Sequence, residues 1–232
     1  GSFRFFEASN MISYLFAVLL LPIFSKLLKN KKPVSEIVFI AFKIILTFSI
    51  ILCVVSIFYN EELIKLRYEN GQFDNVDSYL EKSFYIFPIL MLCFLFISCT
   101  YIFGTLLTAN GNLYSLNLIA FFGMLFNILL NYFLITKNGA VGASLASFCT
   151  QFLTAIAQIF LCVKIFELKN LKYLVEPILF FTLGLILAGF LTVSYSQLWY
   201  INICIFGFLS IIWSFITGMF KLRYISYIFN ND

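Results

Sequence analysis

Seven apolar runs, each near the length of a membrane span, recur along this chain and constrain its fold more than any other feature. A helix needs about 20 apolar residues to cross about 30 Å of hydrocarbon. Spanning strands are instead short and alternate apolar and polar residues. The predicted fold class is therefore all-α integral membrane, with about seven transmembrane helices. The runs cover residues 11–28, 37–59, 84–107, 115–136, 141–166, 177–195 and 199–220.

Composition excludes a soluble domain and argues against metal and disulfide sites. Of the 232 residues, 62% are hydrophobic and 11% are charged, with a mean hydropathy of +0.99. The chain has no His and no CxxC pair, so we expect neither a zinc site nor a disulfide framework. All six cysteines fall inside predicted spans, where apolar packing is their expected role. They are Cys53, Cys93, Cys99, Cys149, Cys162 and Cys204.

Basic residues collect on one side of the predicted bundle. Cytoplasmic loops carry an excess of Lys and Arg. The opposite side receives residues 60–82, which hold six acidic and three basic residues and include a stretch that suits either a short surface helix or a solvated connector. We therefore predict that the first span runs inward and that the C-terminus is cytoplasmic, and the net charge of +4 gives no argument for nucleic acid. The basic residues are Lys26, Lys29, Lys31, Lys32, Lys164, Lys169, Lys172, Lys221 and Arg223.

The start of the chain predicts a segment upstream. An inward-running first span follows Gly1-Ser2, with neither an initiator Met nor the charged start of a signal peptide. Secondary transporters are commonly built as two related halves. Whether Gly1-Ser2 is native or a cloning remnant, an odd number of spans is unusual for a complete transporter. We therefore expect an N-terminal lobe of the same protein.

Small residues line one face at the start of the fifth run. Gly139, Gly142, Ala143 and Ala146 are three or four residues apart. Such a bare face lets two helix backbones approach closely, because helices in lipid associate by packing rather than by the hydrophobic effect. The pattern predicts a tight helix-packing motif.

Amides inside the fourth and fifth runs are the next candidates. Asn127 and Asn131 are four residues apart and share a face, as do Gln151 and Gln158, which are seven apart. Side-chain amides in a bilayer usually bond to a neighbouring helix. The asparagines are expected to join helices or to face a cavity, and the glutamines to meet the asparagines or to present amides to a sugar.

Three ionisable residues stand in or beside the first two runs. Lys43 either snorkels to the headgroups or faces a cavity as an anion-attracting cation. Arg4 and Glu7 are three residues apart at the outer mouth of the first span, where they either pair or each face a cavity. Arg4 is the candidate for attracting an anion, and Glu7 for coupling to a cation or proton.

The order of motifs resembles a known transporter superfamily. FRFFEASNMISYLFAVLLLPIFSKLLK (residues 3–29) contains a Leu-Pro-Ile-Phe-Ser element at residues 21–25, and Ala-Asn-Gly-Asn stands at residues 109–112. FNILLNYFLIT (residues 126–136) then leads into NGAVGASLAS (residues 138–147). This order is similar to the C-terminal half of the multidrug/oligosaccharidyl-lipid/polysaccharide exporter superfamily, most closely its O-antigen type polysaccharide flippases.

The resemblance implies both an architecture and a function. It implies that residues 1–166 form five spans of the C-terminal lobe of a MATE-like two-lobe transporter, and that residues 167–232 add two helices and a cytoplasmic tail. It implies a flippase in the inner (cytoplasmic) membrane that moves lipid-linked oligosaccharide for surface polysaccharide or lipopolysaccharide synthesis. The partners would be that lipid, the membrane lipids and the N-terminal lobe. No cofactor is expected beyond H⁺ or Na⁺ as coupling ion.

Other functions stay open at this point. A cation-coupled multidrug exporter of the same superfamily normally needs a carboxylate deep in a span, which this sequence does not place there. An enzyme would need a His, paired carboxylates or a large catalytic loop, so no enzymatic activity is expected. A non-catalytic membrane subunit is the remaining alternative.

Overall fold

The computed structural model describes residues 2–68, 76–168, 173–196 and 198–220. Within these ranges the chain is helical, with no strand. Lys169, Lys172, Lys221, Arg223 and the acidic residues Glu69 and Asp74 lie outside the described residues. The helices are α1 (Ser2–Lys29), α2 (Ser35–Phe58), α3 (Asn60–Tyr68), α4 (Val76–Ala109), α5 (Leu113–Phe166), α6 (Val175–Val193) and α7 (Trp199–Ile216).

Six of these helices are long and apolar enough to cross a membrane, and α5 is long enough for two crossings. Its 54 residues would extend roughly 80 Å at 1.5 Å per residue. Gly139, with φ 54° and ψ −128°, breaks the helix between residues 113–138, the first arm, and residues 140–166, the second arm. Counting both arms gives seven apolar segments, which confirms the predicted all-α membrane fold.

The two arms of α5 fold back on each other. Asn127 Nδ2 donates to Thr150 Oγ1 at 3.1 Å, and a Cβ added at Gly123 would lie 2.7 Å from Thr154 Cγ2. Moving four residues toward the start of the first arm, from Asn127 to Gly123, moves the contact four residues toward the end of the second arm, from Thr150 to Thr154. The two arms are therefore antiparallel. Gly139 permits the reversal because its backbone conformation is open to glycine and strained for other residues.

The long helix α4 is the centre of the bundle. It contacts α1, α2, α3 and α5. Phe94, Phe103 and Leu106 of α4 are fully buried, and Phe103 packs edge-on against Phe42 of α2 with ring centroids 5.2 Å apart. Since lipid removes most of the hydrophobic driving force between helices, this interlocking of side chains is what holds them together.

A buried serine cluster joins three helices. Ser13 of α1, Ser49 of α2 and Ser98 of α4 are each at most 1% exposed. The Ser98 hydroxyl donates to the Phe94 carbonyl at 2.8 Å, so it accepts from both Ser49 and Ser13, each at 3.0 Å. The cluster therefore fixes how α1 and α2 sit against α4.

We expect Ser98→Ala to lower the unfolding free energy by about 1 kcal/mol, because two interhelical hydrogen bonds worth roughly 0.6 kcal/mol each lose their acceptor. Thermal unfolding in detergent measures the change. Ser25→Ala is the matched control, since the exposed Ser25 donates to the Leu21 carbonyl of its own helix and bonds to no other described residue. Equal shifts for the two variants would contradict the role of the cluster.

The helices α6 and α7 pack against each other and against α2. Gly184 of α6 leaves room for the ring of Trp213, and Gly189 lies under Phe58, where an added Cβ would be 2.5 Å from Cδ2. Near the same end of α2, Tyr59 donates to Thr192 Oγ1 at 2.7 Å. The division into units at residue 166 and the cytoplasmic C-terminus stay predictions.

Candidate functional site

A polar cavity of about 480 Å³ lies between α1, α4 and the second arm of α5. The polar part of its lining comes from Asn10 of α1, Thr100 and Tyr101 of α4, and Ser147 and Gln151 of the second arm. The rest of the lining is formed by Phe6, Leu90, Cys93 and Ile97. Its volume falls in the range of about 300–1,000 Å³ that is typical of ligand pockets. None of the described residues that line it is an acid, a lysine or an arginine.

Helix geometry brings these five side chains together. Ser147 and Gln151 are four residues apart, so both lie on the face of the second arm that meets α4 and α1. The hydroxyls of Thr100 and Ser147 donate to carbonyls of their own helices, at 2.8 and 3.0 Å, which leaves their lone pairs as acceptors. Polar groups are thus presented without breaking any helix.

Two amides of the polar cavity are short of partners. Asn10 Oδ1 is buried and has no hydrogen-bond partner among the described residues. The structure also gives the Gln151 side chain, which is half-buried, no hydrogen bond to any described residue. Buried polar groups are rarely left unpaired in proteins, so each one calls for an explanation.

Arg4 and Glu7 lie on α1 outside the polar cavity. Both are exposed, and neither forms an ion pair in the described part of the chain. Helical spacing puts Arg4, Glu7, Asn10 and Tyr14 on one side of α1. Tyr14 meets Tyr101 with ring centroids 6.1 Å apart, so this exposed side of α1 is continuous with the cavity lining.

Asn127 and Asn131 form a hydrogen-bonded chain across the α5 hairpin. Asn131 Nδ2 donates to Asn127 Oδ1 at 2.8 Å, and Asn127 donates to Thr150, whose hydroxyl donates to the Ala146 carbonyl at 2.8 Å. The structure therefore brings the two predicted asparagines together and joins them to the second arm, away from the residues that line the polar cavity.

Gln158 does not line the polar cavity, although it lies on the same arm as Gln151. It is 8% exposed, and its Oε1 is buried without a described partner. A Cβ added at Gly104 of α4 would lie 3.3 Å from that oxygen. Gln158 thus packs against the bare backbone of α4, whereas Gln151 lines the polar cavity.

Lys43 is held at the end of α7. Its Nζ donates to the Gly218 carbonyl at 3.1 Å and lies 4.9 Å from the centre of the Phe39 ring. The residue is 8% exposed and is not among those that line the polar cavity. The ammonium therefore links α2 to the turn that follows α7.

The small residues of the packing motif occupy different environments. Gly142 and Ala146 are buried, and Gly142 lies directly against the backbone of Leu134 in the first arm. Gly139 forms the reversal, and an added Cβ would meet nothing there within 4 Å. Ala143 is half-buried, and its carbonyl accepts from Ser147.

Sequence reasoning missed four of the five polar residues that line the polar cavity, namely Asn10, Thr100, Tyr101 and Ser147. Asn10 alone carried a usable signal, because it follows Arg4 and Glu7 at intervals of three on the same helix. The others are ordinary helix residues whose role depends on which helices converge around them.

Comparison with known proteins identifies the fold. No protein-family model matches the sequence, and no curated protein matches it. The solved structure of the lipid II flippase MurJ, in an inward closed conformation, matches with a TM-score of 0.69 and 23% sequence identity. The match covers 93% of this chain and 47% of the MurJ chain, so the chain spans about half the length of that structure. The protein is a multi-pass membrane protein with the helical fold of half of this flippase.

Proposed function

We propose that this protein is a flippase that moves lipid-linked oligosaccharide from the inner to the outer leaflet of the cytoplasmic membrane for surface polysaccharide synthesis. The observation that carries the proposal is the polar cavity, which is continuous with the exposed side of α1 that bears Arg4. The fold shared with the lipid II flippase MurJ supports it. An H⁺ or Na⁺ gradient would bias the direction of transport.

The chemistry of such a substrate explains what the protein has to provide. A pyrophosphate and a glycan are strongly hydrated, and transferring a polar group into an apolar medium without a hydrogen bond costs several kcal/mol, roughly 2–7 per group. Polar side chains on the path replace part of the lost hydration. A guanidinium such as that of Arg4 binds phosphate oxygens with two parallel hydrogen bonds. No covalent step is needed.

The proposed architecture places α1 between two lobes. Met11, Leu15 and Leu19 recur every four residues on α1 and are 64%, 53% and 59% exposed. In the proposal this stripe packs against the N-terminal lobe of the same protein, and residues 1–166 supply the opposite wall. Residues 167–232 add two helices beside that wall and end in the cytoplasm.

Translocation of a fluorescent lipid-linked oligosaccharide in proteoliposomes tests the proposal. The protein is purified as its native gene encodes it, and a membrane-impermeant quencher reports which leaflet holds the label. We expect the inner-leaflet label to become accessible faster than in protein-free vesicles. Rates equal to those of protein-free vesicles would overturn the flippase. Transport of a cationic dye without the glycan lipid would instead favour a multidrug exporter.

A further inference from the structure

We propose that the polar cavity is a subsite for an uncharged sugar ring of the transported head group. This inference rests on the proposed function and names the part of the substrate that the cavity would take. Arg4 would meet the pyrophosphate, while Asn10, Gln151, Thr100 and Ser147 would bind hydroxyl or acetamido groups of a neutral sugar.

The lining chemistry matches a neutral sugar. Sugar hydroxyls donate and accept hydrogen bonds, and the amides of Asn10 and Gln151 do both. Thr100 and Ser147 add acceptor oxygens, because their protons are committed to their own helices. The rings of Tyr101 and Phe6 also line the polar cavity and offer apolar faces to the carbon skeleton of a sugar.

The absence of charge among the described lining residues selects against an acidic sugar. A carboxylate moved into this space would lose its hydration without meeting a cation, which is costly in a low-dielectric interior. A neutral sugar carries no such penalty. The specificity expected of the polar cavity is therefore for neutral or N-acetylated sugars over uronic acids.

The amides without described hydrogen-bond partners favour binding of a sugar that can supply those hydrogen bonds. A buried polar atom without a partner costs about 1–3 kcal/mol. Asn10 Oδ1 is in that state, and the Gln151 side chain has no described hydrogen-bond partner. A sugar hydroxyl that donates to Asn10 Oδ1 removes that penalty, and the half-buried amide of Gln151 offers the same sugar a second hydrogen bond. A bare lipid phosphate bound at Arg4 can do neither.

The position of the polar cavity fits a sugar that follows a phosphate. Asn10 comes six residues after Arg4 on α1, which is about 9 Å along the helix axis. A short glycan attached to a pyrophosphate at Arg4 can cover that distance. Phe6, which lies between Arg4 and Asn10 on α1, also lines the polar cavity, so the lining extends from Asn10 toward Arg4.

Binding measurements with two lipids test the inference. The protein encoded by the native gene is placed in nanodiscs and titrated with polyprenyl pyrophosphate, either bare or carrying N-acetylglucosamine. We expect the wild type to prefer the sugar-bearing lipid. Gln151→Met, which removes the amide at nearly constant volume, should weaken binding of the sugar-bearing lipid about tenfold and leave the bare lipid unchanged.

The matched control is Gln158→Met on the same arm. Gln158 faces Gly104 outside the polar cavity, so this variant should keep the wild-type preference. Asn10→Leu, on a different helix, carries the same test if Gln151→Met does not fold. Unfolding midpoints establish which variants are folded.

Each outcome distinguishes the subsite from the proposed function. Equal affinity of the wild type for the two lipids, or an unchanged preference in the folded Gln151→Met and Asn10→Leu variants, would overturn the sugar subsite and leave the flippase standing. Binding of neither lipid by the wild type would overturn both. An equal preference for a glucuronate-bearing lipid would overturn the selectivity for neutral sugars.

Discussion

Gly142→Ala is expected to prevent the accumulation of folded protein, while Gly207→Ala leaves it intact. A Cβ at position 142 would overlap the backbone carbonyl of Leu134 in the opposite arm of α5. A clash with a flexible side chain is relieved by a rotation, but here the obstacle is the backbone of a helix. One arm would have to move away from the other.

That movement would break several interactions at once. The hydrogen bond between Asn127 and Thr150, and the close approach of Gly123 to Thr154, both depend on the same spacing of the arms. Overpacking a well-filled interior typically costs about 1–3 kcal/mol. Because backbone is involved, we expect a loss of about 3 kcal/mol or more, which is a large fraction of the roughly 5–15 kcal/mol that stabilises a folded protein.

The control makes the same chemical change where there is room for it. At Gly207 in α7, an added Cβ would meet no atom of the described residues within 4 Å. Alanine is favoured over glycine inside a helix by about 0.5–1 kcal/mol, so Gly207→Ala should unfold at the same temperature as the wild type or higher. Yield and monodispersity on fluorescence-detected size exclusion, followed by thermal unfolding, compare the two. Similar behaviour of both variants would show that the arms are not closely packed at Gly142.

Hydropathy predicted where the chain crosses the membrane, but not where the helices end. The first run begins at residue 11, whereas α1 begins at Ser2, and the third begins at residue 84, whereas α4 begins at Val76. Hydropathy reports only the part of a helix that lies in hydrocarbon, and a helix can continue into water with polar residues. For residues 61–82 the sequence left open a short surface helix or a solvated connector, and the structure forms a helix over Asn60–Tyr68, which is α3.

The candidate site was harder to predict, because it depends on neighbours rather than on periodicity. The spacing of Gln151 and Gln158 predicts one shared side of the second arm. Only the structure shows that Gly104 lets α4 approach Gln158, while Gln151 meets the polar residues of α1 and α4. The cluster of Ser13, Ser49 and Ser98 was not predicted, for the same reason. Isolated serines are common in membrane helices, and these three meet only because α1, α2 and α4 pack together.

Replacing Arg4 should have the largest effect on transport with little effect on folding. The residue is exposed and forms no ion pair in the described part of the chain, so its removal leaves no buried partner unsatisfied. If it binds the pyrophosphate, Arg4→Ala loses charge-assisted hydrogen bonds worth about 1.5–3 kcal/mol, and translocation in the proteoliposome assay should fall about tenfold or more. Arg4→Lys keeps the charge but not the paired geometry and should retain an intermediate rate.

Lys65→Ala is the matched control for lost positive charge. Lys65 is also exposed, and its salt bridge to Glu61 on α3 is a surface pair, which contributes little to stability. Arg4→Ala and Lys65→Ala should therefore show similar unfolding midpoints, and only Arg4→Ala should slow translocation. Raising the salt concentration should slow the wild type toward the rate of Arg4→Ala, because screening weakens the attraction between an exposed cation and a phosphate. If Arg4→Ala transports at the wild-type rate, the exposed side of α1 does not bind the pyrophosphate, and the polar cavity would have to recognise the glycan without a charged anchor on that helix.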